Sequence, residues 1–178
     1  MGKGTKISFR KCGRKEVSQI FALSSKIFRK DFPYAPRVAR IYSDFLFNQS
    51  YFRKHLKKRE NPVIGAFEGK NLIGFISLKG DFGGVASVNL LFVHKNYRQA
   101  GIGSRFLKLA EEWSLKNKYH YLWLFSETEK NIKFYKKRGF KYVGCHKKSW
   151  FGEDEYILAK ALKAKPFPEI FKEILKST

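Results

Sequence analysis

Apolar and polar residues alternate over residues 6–12, the period-2 pattern of a strand with one buried face. The period then lengthens. Val17, Ile20, Phe21, Leu23, Ile27 and Phe28 fall near helical spacing and predict a helix over 14–29. A second helical pattern, entered after Pro36 and carrying Ile41, Phe45, Tyr51 and Phe52, predicts one helix over 38–56. Two apolar runs at 63–67 and 72–78 are joined by Glu68-Gly69-Lys70-Asn71, a hairpin turn sequence, and a third strand covers 85–93. The helix expected at 102–116 sets Ile102, Phe106, Ala110 and Trp113 on one stripe. Residues 121–125 are continuously apolar, as in a strand buried on both faces. A short helix over 128–138 ends at Gly139, where a left-handed C-cap belongs, and strands follow at 140–145 and 155–162. The order β-α-α-β-β-β-α-β-α-β-β predicts one α+β (mixed α/β) domain over 1–162 around a single sheet. After Pro166 and Pro168, the residues Ile170, Phe171, Ile174 and Leu175 make 163–178 an amphipathic helical extension expected to pack on its own domain.

Composition narrows this picture. The 178 residues are 43% hydrophobic and 17% aromatic, enough for one packed core. No apolar run approaches the roughly 20 residues of a membrane span. The N-terminus lacks the apolar stretch of a secretory signal. Cys12 and Cys145 fit neither a disulfide framework nor a metal site, so the expectation is a cytoplasmic protein without metal. The net charge of +22 draws in polyanions: nucleic acid, an acidic protein or a coenzyme rich in phosphate. The cations sit in short clusters such as 57–59, 136–138 and 147–148, a pattern that a solvated Lys-rich surface also gives.

Residues 90–104 carry the most chemistry. An apolar strand runs into a short turn and then into an amphipathic helix through Arg98-Gln99-Ala100-Gly101-Ile102-Gly103-Ser104. First-turn N–H groups have no partner within a helix and lie at its positive end, which suits phosphate. Gly101 and Gly103 let a pyrophosphate approach the backbone, and Arg98 adds a forked cation. A mononucleotide P-loop is excluded because Ser104-Arg105 replaces Lys-Ser/Thr, and a dinucleotide fingerprint because Phe106 replaces its third glycine.

The run Val93-His94-x-x-Tyr97-Arg98-x-x-Gly101-Ile102-Gly103 resembles the acetyl-CoA signature of the GNAT N-acetyltransferase superfamily. The run Asn131-x-x-Phe134-Tyr135-x-x-x-Gly139-Phe140 resembles its second signature. The resemblance implies the GNAT fold: a central, mostly antiparallel sheet of six to seven strands flanked by about four helices. It implies acetyl-CoA as cosubstrate and no metal. Leu91, Phe92 and Val93 would pair with the pantetheine arm, in a slot opened where this strand splays from 121–125. Backbone N–H groups of Arg98, Gln99, Ala100, Gly101, Ile102, Gly103 and Ser104 would hold the pyrophosphate, and the Val93 N–H would polarise the thioester carbonyl. Asn131 would bond the coenzyme arm, although Thr128 stands where many relatives place that Asn. Tyr135 would protonate the departing thiolate.

One departure matters. Many relatives carry a Glu on the strand before Val93 to accept the ammonium proton, and here that stretch reads Ala86-Ser87-Val88-Asn89-Leu90-Leu91. Asn89 holding a water, or Glu127 at the end of the next strand, are the substitutes expected, with Asp81 and Glu155 behind them; His94 reads as structural. The acceptor would sit among Phe32, Tyr34 and Glu155, where aromatics and a carboxylate suit a cationic amine; Phe32 and Tyr34 fit equally as plugs in the core. A protein N-terminus, a lysine or a polyamine qualifies. Two other readings stand beside the enzyme: an acetyl-CoA-binding sensor or scaffold with weak catalysis, and a basic module binding nucleic acid or the ribosome. Monomer and homodimer are both open.

Overall fold

The computed structural model describes residues 6–32, 35–162, 172, 175 and 176. Tyr34 and nearly all of the expected extension at 163–178 lie outside the described residues. The elements run β1 (Ile7–Lys11), α1 (Val17–Asp31), α2 (Pro36–Ile41), α3 (Gln49–His55), β2 (Val63–Glu68), β3 (Asn71–Asp81), β4 (Val85–Val93), α4 (Ile102–Lys116), β5 (Tyr121–Ser126), α5 (Glu129–Lys136), β6 (Lys141–His146) and β7 (Glu155–Ala161). The strands join one seven-stranded sheet in the order β1-β2-β3-β4-β5-β7-β6. β1/β2, β2/β3, β5/β7 and β6/β7 are antiparallel and β4/β5 is parallel, because α4 carries the chain across between them. This is the α+β fold expected, with five α-helices among the described residues rather than about four.

The fifth helix comes from a break in the helix expected over 38–56. A wider π turn spans Tyr42–Leu46, with the Phe47 N–H bonded to the Tyr42 carbonyl at 2.8 Å. Asn48 then restarts the helix as an N-cap, its side chain accepting from the Tyr51 N–H at 2.9 Å. Apolar spacing continued through the break, so periodicity alone could not locate it. The continuously apolar 121–125 also differs from expectation: Leu122, Leu124 and Ser126 are buried, whereas Tyr121, Trp123 and Phe125 are half-buried on the opposite face.

Contacts gather the chain into two compact units, Met1–Leu78 with Asn89–Phe106, and Lys79–Val88 with Leu107–Thr178. The first unit is packed around Phe28, which is stacked on Tyr42 and Phe47 at centroid distances of 5.3 and 5.5 Å and meets Phe92 edge-on at 5.1 Å. The second unit buries Leu107 and Ala110 of α4, Leu122 and Leu124 of β5 and Leu158 of β7.

Candidate active site

In the first unit, the end of β4 leads through a tight turn to α4. The His94 N–H bonds the Ile73 carbonyl at 2.8 Å, and the His94 Nδ1 accepts from the Asn96 N–H, so His94 shapes the turn. Tyr97 donates to Glu68 at 2.6 Å and ties the turn to β2. The Arg98 Nε donates to the Val93 carbonyl at 3.1 Å and its guanidinium pairs with Asp31. Its forked donors thus stiffen the loop from within, and the backbone N–H groups beyond it form the loop head. Gln99 and Gly101 take positive φ, 69° and 78°, and a Cβ on Gly101 would meet nothing within 4 Å. The Arg105 N–H bonds the Gly101 carbonyl at 3.0 Å, which opens the ladder of α4. Gln99, Ala100 and Gly101 are exposed, and Leu91 and Val93 on β4 are half-buried while Phe92 enters the core.

Asn89, on the same strand, heads a polar chain that the sequence reading missed. Its Nδ2 donates to the Tyr51 hydroxyl at 3.4 Å; that hydroxyl lies 3.4 Å from His55 Nδ1, and His55 Nε2 lies 2.9 Å from Ser77 Oγ. Burial pushes His55 down to about 4, so the ring is neutral at physiological pH. One ring nitrogen therefore donates and the other accepts across the Tyr51 and Ser77 contacts. The signal was there in the i, i+4 spacing of Tyr51 and His55 on one face of α3. Phe32 is half-buried and packs on Phe28 and Tyr42 at 5.0 and 5.4 Å, the geometry of the core plug among the two readings it allowed.

In the second unit, Thr128 caps α5, its Oγ1 accepting from the Asn131 N–H at 3.2 Å, which leaves the Asn131 side chain on an exposed first turn. Tyr135 is buried on the same helix against Phe134 and Phe140. Gly139, with φ of 83°, ends the helix as its position predicted. The β5/β7 register runs to Ser126↔Tyr156; carried one step further, it sets Glu127 opposite Glu155. Two like charges brought together while leaving water hinder each other's ionisation. Burial, then the Glu155 charge, pushes Glu127 up to about 7. Burial also raises Glu155, against a Ser149 hydrogen bond and the His146 charge that pull it down. Burial, with the Glu127 charge behind it, raises the Tyr135 phenol above its usual value. Phe125 packs against His146 at 5.8 Å and Trp123 at 5.0 Å, adding an aromatic wall on the Glu155 face of the sheet.

Residues 21–140 match the model of the Acetyltransferase (GNAT) family, more than half of the chain. The chain belongs to the GNAT acetyltransferase family. Among curated relatives, streptothricin acetyltransferase A of Bacillus subtilis (strain 168) is 29% identical over 97 residues, covering 49% of this chain and 55% of the relative. The chain therefore spans about half the length of that relative. Among solved structures, the PaiA N-acetyltransferase from Thermoplasma acidophilum, in complex with coenzyme A, superposes with a TM-score of 0.78 at 21% identity, over 88% of this chain and 99% of that one. The ribosomal-protein-S18-alanine N-acetyltransferase of Escherichia coli gives 0.70 at 14% identity, over 90% and 97%. These last two likenesses are of fold.

Family membership makes acetyl-CoA the acyl donor, and the residues present fit that molecule. The β4–α4 turn offers an exposed, glycine-opened backbone at the positive end of a 15-residue helix, as a pyrophosphate requires. In the second unit the buried Ser126 hydroxyl finds no hydrogen-bond partner among the described residues. Among the described residues no group of His, Cys, Asp and Glu could hold a metal ion, and no helix is long and apolar enough to cross a membrane.

Proposed function

We propose that this GNAT domain transfers the acetyl group of acetyl-CoA to a cationic primary amine, with Glu127 as proton acceptor and Tyr135 as proton donor. The observation carrying the proposal is Glu127, whose pKa of about 7, beside Glu155, stands in for the carboxylate missing from β4.

Acetyl-CoA supplies an activated acyl carbon and a thiolate leaving group. An ammonium of pKa about 10.4 must lose a proton before its nitrogen can attack. Glu155 and the aromatic face of Trp123 and Phe125 hold the cation by charge and cation–π attraction. Glu127 accepts the ammonium proton, at a pKa close to operating pH, where a general base works best. The amine nitrogen bonds to the acyl carbon, the C–S bond breaks and the sulfur takes a proton from Tyr135, while the second proton of the new amide nitrogen passes through solvent to restore the phenol. Burial makes the phenol a weaker acid than a free tyrosine, so its donation depends on placement at the sulfur rather than on its pKa. Backbone N–H groups from Gln99 to Gly103 hold the pyrophosphate, with Leu91 to Val93 along the arm.

The acceptor is an amine on an apolar or extended stem: a polypeptide N-terminus, a lysine side chain or a polyamine. The relatives' own names span a small molecule, streptothricin, and a protein alanine. A second reading rests on Asn89, whose amide is oriented by Tyr51 and could fix a water as the base. The two part on pH dependence. Coenzyme A thiol release, measured against peptide, lysine and polyamine acceptors, should show kcat/KM rising through a limb near pH 7. Glu127→Gln should lower kcat by about 10²-fold or more and abolish that limb. A limb that persists in this variant moves the base to Asn89 and its water. No thiol release with any amine, despite tight acetyl-CoA binding, supports the sensor or scaffold reading instead.

A further inference from the structure

The charge of +22 is not needed for the chemistry above, and part of it is gathered into a surface in the first unit. The Cys12 N–H bonds the Val63 carbonyl at 2.8 Å, which sets the β1–α1 turn beside the segment that leaves α3 for β2. Arg14 from that turn, with Arg53 and Lys57 from α3 and its exit, line one cavity of about 290 Å³. Lys11, Lys15, Lys54, Lys58 and Arg59 continue the same two segments and are all exposed. The acids do not balance them. Glu16 is buried and committed to Arg10 at 3.1 Å, so Glu60 is the exposed carboxylate among residues 10–16 and 53–60. Arg53 donates to the Gln49 amide at 2.9 Å, and no ion pair engages Arg14, Arg53 or Lys57 among the described residues. The dipole of a seven-residue helix favours a cation or two at its C-terminus, not five in a row of seven.

We infer that this surface binds the phosphodiester backbone of RNA, seating a phosphate in the Arg14/Arg53/Lys57 cavity with the flanking lysines on neighbouring phosphates. Charge chooses the class of partner. A protein partner needs apolar or aromatic anchors at the interface centre, and the exposed residues of these two segments are cations, Gly13 and Glu60. A backbone of regularly spaced monoanions needs no such anchor, and its affinity comes from counterion release.

The test is equilibrium binding of a labelled single-stranded RNA of mixed sequence to the full chain from 50 to 300 mM salt, with acetyl-CoA affinity measured in parallel. Arg14→Gln/Arg53→Gln/Lys57→Gln removes three phosphate partners. It should weaken RNA binding more than 10-fold at 100 mM salt and reduce the log–log salt slope by about 2. Lys108→Gln/Lys116→Gln/Lys130→Gln, an equal loss of charge on exposed positions of the second unit, should change the slope by less than about 1. Arg14→Lys/Arg53→Lys keeps the charge and should keep the binding; it serves also if the triple variant melts early. Acetyl-CoA affinity should not move in any of them. Equal losses in both triple variants would reduce the effect to overall charge and overturn the proposal. So would the absence of salt-dependent RNA binding, or displacement of RNA by poly-glutamate at lower charge equivalents than by unlabelled RNA, which would point to an acidic protein.

Discussion

Glu127 and Tyr135 show how position changes a residue's chemistry. In the sequence Glu127 is one of 15 acids and Tyr135 one of nine tyrosines; the motif marked the tyrosine, the sequence offered Glu127 as one of several acids, and desolvation beside Glu155 sets it apart from them. Tyr135→Phe keeps the ring and removes the proton, so kcat should fall by about 10²-fold while acetyl-CoA affinity stays within about twofold. Unchanged turnover across pH would remove Tyr135 from the mechanism. Glu127 also carries a stability signature. Its folded pKa of about 7 exceeds the ordinary value of 4.5, so the folded state holds an extra proton between these values. Stability associated with this group is therefore present below about pH 4.5 and lost as pH rises through 7. Glu127→Gln removes that loss. Its Tm should exceed that of the wild type at pH 8, with the difference closing by pH 4.5. A variant that is less stable at pH 8 would mean that the carboxylate is not held in a costly environment.

At the scale of elements, the β4–α4 turn was legible because its requirements are local. A positive φ favours glycine, a helix entry needs its N–H groups open, and both follow from the residue types at 98–104. Gly101→Ala should cost about 1 kcal/mol through the φ of 78°, lowering Tm by about 2–4 °C. It should also weaken acetyl-CoA binding by tenfold or more, measured by calorimetry. Intact affinity would show that the coenzyme does not use this turn. The break between α2 and α3 was not legible. The π turn at Tyr42–Leu46 leaves apolar spacing unbroken, and Asn48 became a cap only because the helix on either side was held elsewhere. Arg98 is similar: its sequence position suggested a phosphate cation, and its internal partners, Asp31 and Val93, come from a distant helix and from the strand before it.

Across the molecule, the aromatic residues hold the first unit, and Phe28 is their centre, fully buried with four rings against it. Phe28→Ala should cost about 3–5 kcal/mol and drop Tm sharply in a thermal melt; a loss under 1 kcal/mol would mean that the surrounding rings collapse into the space. What the sequence by itself determined was most of the alternation of strands and helices, the family through two motifs, and the glycine-opened turn before α4. Each rests on residues within about fifteen positions of one another, where periodicity, glycine conformation and helix ends act. The tertiary structure decided the surroundings of the candidate acid–base groups and which residues became supports. It brought the Glu155 charge to bear on Glu127, joined Asn89 to Ser77 through Tyr51 and His55, and brought two basic segments about forty residues apart around one cavity. Desolvation and like-charge repulsion depend on what lies nearby in space, and sheet register, not sequence distance, sets those neighbours.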